Sequence, residues 1–188
     1  MKVVGFNGSP RKDGNTTILI NYLFAELQKE GIDTELVQLS EKDIHGCIAC
    51  YKCMENKDKR CAVKNDAANE YIEKVIEAQG VILGSPSYFQ DATAEMKAFI
   101  DRVGLVGLAN GRMYNNKIGA ALCCFRRTGG TTTVGTMTHF FLSNEFIIAG
   151  RVHSVARDKG DVEKDAEGIQ LAKAVGKRMA LLLKKLHG

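Results

Sequence analysis

KVVGFNGSPRKDGNTTILINYLF, residues 2–24, decides the architecture. Val3 to Phe6 is a short β-branched and aromatic run, which predicts a buried strand. NGSPRKDGN is a loop on turn chemistry alone. From Thr16 to Lys29 the apolar positions Ile18, Leu19, Tyr22, Leu23 and Leu27 follow helical spacing, and Gly31 closes the helix.

The same alternation continues outward. Strands are predicted at Thr34–Leu39, Val81–Leu83, Ile118–Phe125 and Phe146–Ala149. Helices are predicted from about Asp66 to Ala78, Ala94 to Val103, Met137 to Leu142 and Val162 to Leu186, with TGGTTT (128–133) as a loop. Five short strands interleaved with helices give an α/β fold, a parallel sheet covered on both faces, because each parallel connection needs a crossover. Ligands of such sheets bind beyond the carboxyl ends of the strands. The loops after Phe6, Leu83 and Phe125 therefore share one edge and define one candidate site.

Composition narrows the function. The chain has 188 residues, 45% of them hydrophobic, enough for one core in one domain. The net charge of +4 is spread without a dense basic run, which argues against nucleic acid or an anionic membrane as partner. The opening MKVVGFNG is too short for a signal-peptide core, and no apolar run approaches a membrane span, so a cytoplasmic protein is expected. In a reducing cytosol the six cysteines point to metal or redox work rather than disulfides.

The first loop suits an anion. Free amides at a helix start, with the helix dipole, form a ready anion site. Ser9, Asn15, Thr16 and Thr17 add short polar side chains, Gly14 permits close approach, and Arg11 supplies a forked cation. Neither a Walker A nor a Gly-x-Gly-x-x-Gly pattern is present, so a phosphate monoester is the natural ligand. The plainer alternative is an ordinary turn capped by Asn15 or Thr16.

The second loop, GSPSYF (84–89), suits an aromatic ring. Pro86 fixes the backbone, Ser87 to Phe89 leave main-chain groups free, and Tyr88 and Phe89 offer flat faces. Packing alone would also account for either ring. Thr128, Gly129 and Gly130 allow close backbone approach from the next strand end. A phosphate cradle beside an aromatic-walled slot fits FMN.

GSPRKDGNT, GSPSYF with AEMKAFIDR (94–102), and the TGG loop together resemble the flavodoxin-like NAD(P)H-dependent FMN reductases, over nearly the whole chain. The resemblance implies a flavodoxin-like three-layer sandwich, one FMN-binding domain over residues 1–188. It implies FMN held by Ser9, Arg11, Asn15, Thr16 and Thr17 at the phosphate, and by Pro86, Ser87, Tyr88, Phe89, Thr128, Gly129 and Gly130 at the ring. It also implies a homodimer or homotetramer.

Residues 44–65, IHGCIACYKCMENKDKRCAVKN, fit neither period and hold four cysteines, Cys47-x2-Cys50-x2-Cys53-x7-Cys61. Three closely spaced thiolates and a more distant fourth can ligate a cubane cluster, although the long last gap and following Ala62 depart from the ferredoxin run. Four thiolates can equally hold zinc, act as metal-free redox thiols, or pack in a lid. His45 beside the loop reads as solvated, and Cys123 and Cys124 as small buried residues. The loop is similar to that of the iron–sulfur flavoprotein branch of the family, which implies a [4Fe–4S] cluster on Cys47, Cys50, Cys53 and Cys61.

No Ser/His/Asp set or carboxylate pair stands out, and no acid–base residue is assigned. The expected function is an FMN-dependent oxidoreductase passing electrons between a cluster and FMN, with a ferredoxin-like donor or NAD(P)H. Two alternatives stay open: a metal-free NAD(P)H-dependent FMN or quinone reductase, and a thiol-based redox sensor or interaction protein.

Overall fold

Val4 and Phe6 point to one side of the first strand and Val3 to the other, and all three are fully buried. A strand apolar on both faces must be covered on both. The computed structural model, which describes residues 1–188, does this with five parallel strands in the order β2-β1-β3-β4-β5. The strands are β1 Lys2–Asn7, β2 Asp33–Gln38, β3 Gly80–Pro86, β4 Ile118–Phe125 and β5 Ile147–Val155. The helices are α1 Asn15–Lys29, α2 Lys52–Asn56, α3 Ala68–Glu77, α4 Ala94–Ala109, α5 Gly130–Ser143 and α6 Ala166–His187. Leu19, Leu23 and Met179 of α1 and α6 join Val3, Ile82 and Leu122 in one core. Tyr71, Phe99 and Phe140 of α3, α4 and α5 join Val4, Phe6 and Leu83 in the other. This is the flavodoxin-like three-layer sandwich.

On the second face Phe6 and Phe99 stack with ring centroids 4.5 Å apart. That contact fixes α4 against β1. Phe99, Arg102, Val103 and Val106 recur at helical spacing and are all buried, so an arginine lies on the core-facing stripe of α4.

Beyond β3, which runs on to Pro86, and α2, a short helix inside the segment that fits neither period, four boundaries differ from the sequence reading. TGGTTT is a loop only as far as Gly129, and its threonines form the first turn of α5, entered through Gly129 at φ +85°. β5 runs six residues past Ala149, to Val155. Gly150, Arg151 and His153 mask its alternation, while Val152 and Ser154 face inward. α6 starts at Ala166, because Asp161–Lys164 forms a 3₁₀ turn and Asp165 caps the helix. α4 continues to Ala109. No helix is long and apolar enough to cross a membrane.

Candidate functional site

The loop from β1 to α1 is held from below by a buried polar network. Asn7 Nδ2 donates to Thr17 Oγ1 and to Gln38 Oε1, each at 2.8 Å, and Asn7 Oδ1 accepts from the Ser9 amide at 2.9 Å. Thr17 Oγ1 donates to the Lys12 carbonyl, and Gln38 Nε2 to that of Ser9. Thr93 Oγ1 donates to the Gly8 carbonyl at 2.7 Å. With its underside fixed, the loop turns outward, and α1 begins without a side-chain cap or an acidic residue in its first turn. Uncapped amides at the positive end of a helix favour an anion.

Above that turn lies a cleft of about 170 Å³, lined by Ser9, Arg11, Asn15 and Thr16, by Pro86 to Tyr88, by Cys124 to Arg126, and by Ala156 and Arg157. Four strand ends thus converge: β1, β3, β4 and β5. Three guanidinium groups face it, and the only carboxylate contact among them is a 4.0 Å approach of Arg157 to Asp158. The Ser87 hydroxyl is buried without a partner. An uncapped helix start, surplus cations and an orphaned hydroxyl together fit a phosphorylated ligand with polar ring edges.

The cysteine segment builds a second cavity against the far half of α4. Cys47, Cys50, Cys53 and Cys61 all line it, with Ile48, Tyr51, Arg102, Leu105 and Val106 among the other walls. Ala49 and Tyr51 adopt left-handed conformations, φ +52° and +55°, which wrap the chain tightly around the cavity. Burial pushes the Cys53 thiol up, and the nearby Cys61 and Cys47 thiols push it the same way. Asn69 clasps Cys61, accepting from its amide at 2.8 Å and donating to its carbonyl at 3.0 Å. No three acidic, histidine or cysteine side chains converge as they would around a single ion.

The sequence profile of the NADPH-dependent FMN reductases matches residues 1–160. The chain belongs to that family. Among curated relatives, an iron-sulfur flavoprotein of Methanocaldococcus jannaschii is 35% identical over 98% of each chain. An iron-sulfur flavoprotein of Methanosarcina thermophila is 29% identical over all of this chain and 97% of its own. The fold recurs in RosB, solved with a flavin-derived intermediate, at TM-score 0.82 and 20% identity over 99% of this chain and 80% of that one. It recurs again in an archaeal flavodoxin at TM-score 0.63 and 16% identity, over 98% and 99%. The protein is thus an FMN-dependent oxidoreductase of the FMN reductase family.

Within this family frame, the structure gathers Ser9, Arg11, Asn15, Thr16, Pro86, Ser87 and Tyr88 around one cleft. Thr17 is instead committed to the network under the loop. Phe89 is fully exposed (103%) at φ +43° and does not line the cleft, whereas Tyr88, 48% exposed, stands at its rim. Thr128, Gly129 and Gly130 brace the wall rather than line it: Gln90 Nε2 donates to Thr128 Oγ1 at 2.9 Å, and a Cβ on Gly129 would meet Ser87 Oγ at 2.1 Å. Cys123 and Cys124 are buried, and burial raises both thiols to about 12, yet Cys124 also floors the cleft. His45 is exposed but anchored, its amide donating to Asp66 Oδ2 at 3.0 Å.

Arg126 and Arg157 went unnoticed in the sequence, as did the 156–162 loop. The signal was the length of β5, whose end supplies that loop. Arg102 shares the core-facing stripe of α4 with Phe99, Val103 and Val106, but nothing in the sequence pairs it with cysteines 41 or more residues away.

Proposed function

We propose that the protein carries electrons between an iron–sulfur cluster on Cys47, Cys50, Cys53 and Cys61 and FMN in the cleft. The observation that carries this reading is the placement of all four cysteines around one cavity. Soft thiolates select iron–sulfur chemistry or zinc, and a single zinc would draw its ligands to one point. Four thiolates around one cavity match the ligand count of a cubane. The relatives named as iron-sulfur flavoproteins support the same reading.

On the flavin side, Ser9, Arg11, Thr16 and the first amides of α1 would hold the phosphate. Pro86 to Tyr88, backed by Thr128 to Gly130, would border the ring, with Arg126 and Arg157 leaving positive charge at the mouth. A cluster passes single electrons and FMN can pass one or two, so the pair would join a one-electron donor to a two-electron acceptor. A ferredoxin-like donor fits the cysteine face: Lys52, Lys57, Lys59, Arg60 and Lys64 outnumber Glu55 and Asp58 there, and Ile48, Tyr51 and Met54 are exposed among them. NAD(P)H is the second candidate donor, favoured by the arginines at the cleft mouth. A second copy covering the exposed Phe89 would form the expected homodimer or homotetramer.

The test is anaerobic purification with iron and sulfide analysis of the wild type and Cys53→Ala. About four irons per chain are expected in the wild type and a large loss in the variant. Iron-free protein whose flavin is bleached by NAD(P)H would replace this reading with the metal-free reductase.

A further inference from the structure

Arg102 is the largest fully buried side chain in the protein. Arginine is almost never fully buried unless paired, and a buried ion pair adds little stability over an apolar pair of the same volume. Core packing alone therefore does not account for it, and its contacts are specific. Nη1 donates to Asp66 Oδ2 and, at 3.2 Å, to the His45 carbonyl. Nη2 donates to Cys61 Sγ at 3.3 Å and to the Val63 carbonyl at 3.1 Å. One planar fork thus joins His45, two residues before the cysteine motif, to Cys61 at its end and to Val63 and Asp66 beyond it. Nε is buried without a partner, in a side chain that walls the cysteine cavity.

Burial opposes ionisation of Asp66, but the bond from Arg102 and the amides of His45 and Ala68 outweigh it, and the carboxyl is held below its usual range. The ion pair is therefore intact, and Nη2 is left for sulfur. Among the four cysteines, Cys61 has its sulfur bonded by Arg102 and its backbone clasped by Asn69, while Cys47 and Cys50 are exposed. The long spacer before Cys61 is pinned at its far end.

Resting on the cluster reading above, we infer that Arg102 is a positioning residue for that cluster: it fixes Cys61 and raises the reduction potential by donating to the ligand sulfur. The added electron puts more negative charge on the sulfurs, so a donor aimed at one of them stabilises the reduced form. Lysine keeps the charge but offers no fork that can serve Asp66 and Cys61 together.

The experiment is EPR-monitored potentiometry of wild type and Arg102→Lys, each assayed for iron and sulfide. With iron retained, the variant's potential should fall by about a tenfold change in the one-electron equilibrium, about 59 mV. Full iron with an unchanged potential overturns the inference and leaves the cluster reading standing. Wild type that holds FMN but no iron overturns both. A second measurement needs no variant: pulsed EPR of the reduced wild type carrying guanidino-15N arginine. A 15N coupling to the cluster supports the donor, and its absence overturns it, whether or not Arg102→Lys holds iron.

Discussion

Asn15 Oδ1 accepts from the amide of Gly160 at 2.9 Å, joining the first residue of α1 to a loop 145 residues later. The same side chain donates from Nδ2 to the Asp158 carbonyl at 2.8 Å. Its side-chain amide is therefore engaged by the loop that carries Arg157 into the cleft.

Asn15→Ala should loosen residues 156–162 and weaken FMN binding by about tenfold, the equivalent of one or two net hydrogen bonds at about 1 kcal/mol each. Quenching of flavin fluorescence on titration measures this. An unchanged affinity would mean that the loop is held by other contacts.

Gly129 combines φ +85° with a position where a Cβ would meet Ser87 Oγ at 2.1 Å and Gln90 Cα at 2.8 Å. Relieving that clash must move the ring-side wall. Gly129→Ala should cost about 1–3 kcal/mol of stability and reduce FMN retention. Thermal unfolding with and without FMN reads both effects, and Gly135→Ala, at a helical glycine with open space around it, serves as the control.

Asp165 caps α6 and accepts from Ser154 Oγ at 2.8 Å, the Val155 amide at 3.0 Å and the Gly168 amide at 3.0 Å. Burial works against its charge, but these donors prevail and hold the carboxyl below its ordinary value of 3.8. A lowered folded value means that the stabilisation is complete above about pH 5 and is lost as pH falls through the folded value. Asp165→Ala should cost about 1–2 kcal/mol at pH 7. Urea midpoints should draw together as the pH drops below about 4, and a constant gap down to pH 3 would contradict the assignment.

The strand-loop-helix opening was legible because Val3 to Phe6 is buried on both faces and its loop carries its own turn chemistry. The cleft followed from it, since parallel strands place their following loops on one edge. What stayed hidden depended on tertiary partners. Thr17 and Arg11 both read as polar groups available to an anion, yet Thr17 Oγ1 is taken up by Asn7 Nδ2 and the Lys12 carbonyl. Phe89 is aromatic in a ring-binding loop, yet its positive φ swings it into solvent. β5 looked short because Gly150 and Arg151 interrupt an apolar pattern that matters on one side only. The cysteine spacing singles out its segment, but the guanidinium that donates to Cys61 comes from α4.

In the function proposed above, four strand ends grip a flavin whose phosphate rests on the start of α1. Parallel titrations of flavin-free protein with FMN and with riboflavin, which lacks the phosphate, test it most directly. Two or more charged hydrogen bonds to the phosphate predict FMN tighter by on the order of a hundredfold, with Arg11→Ala eroding the FMN affinity alone. Equal affinities for the two flavins would contradict the account.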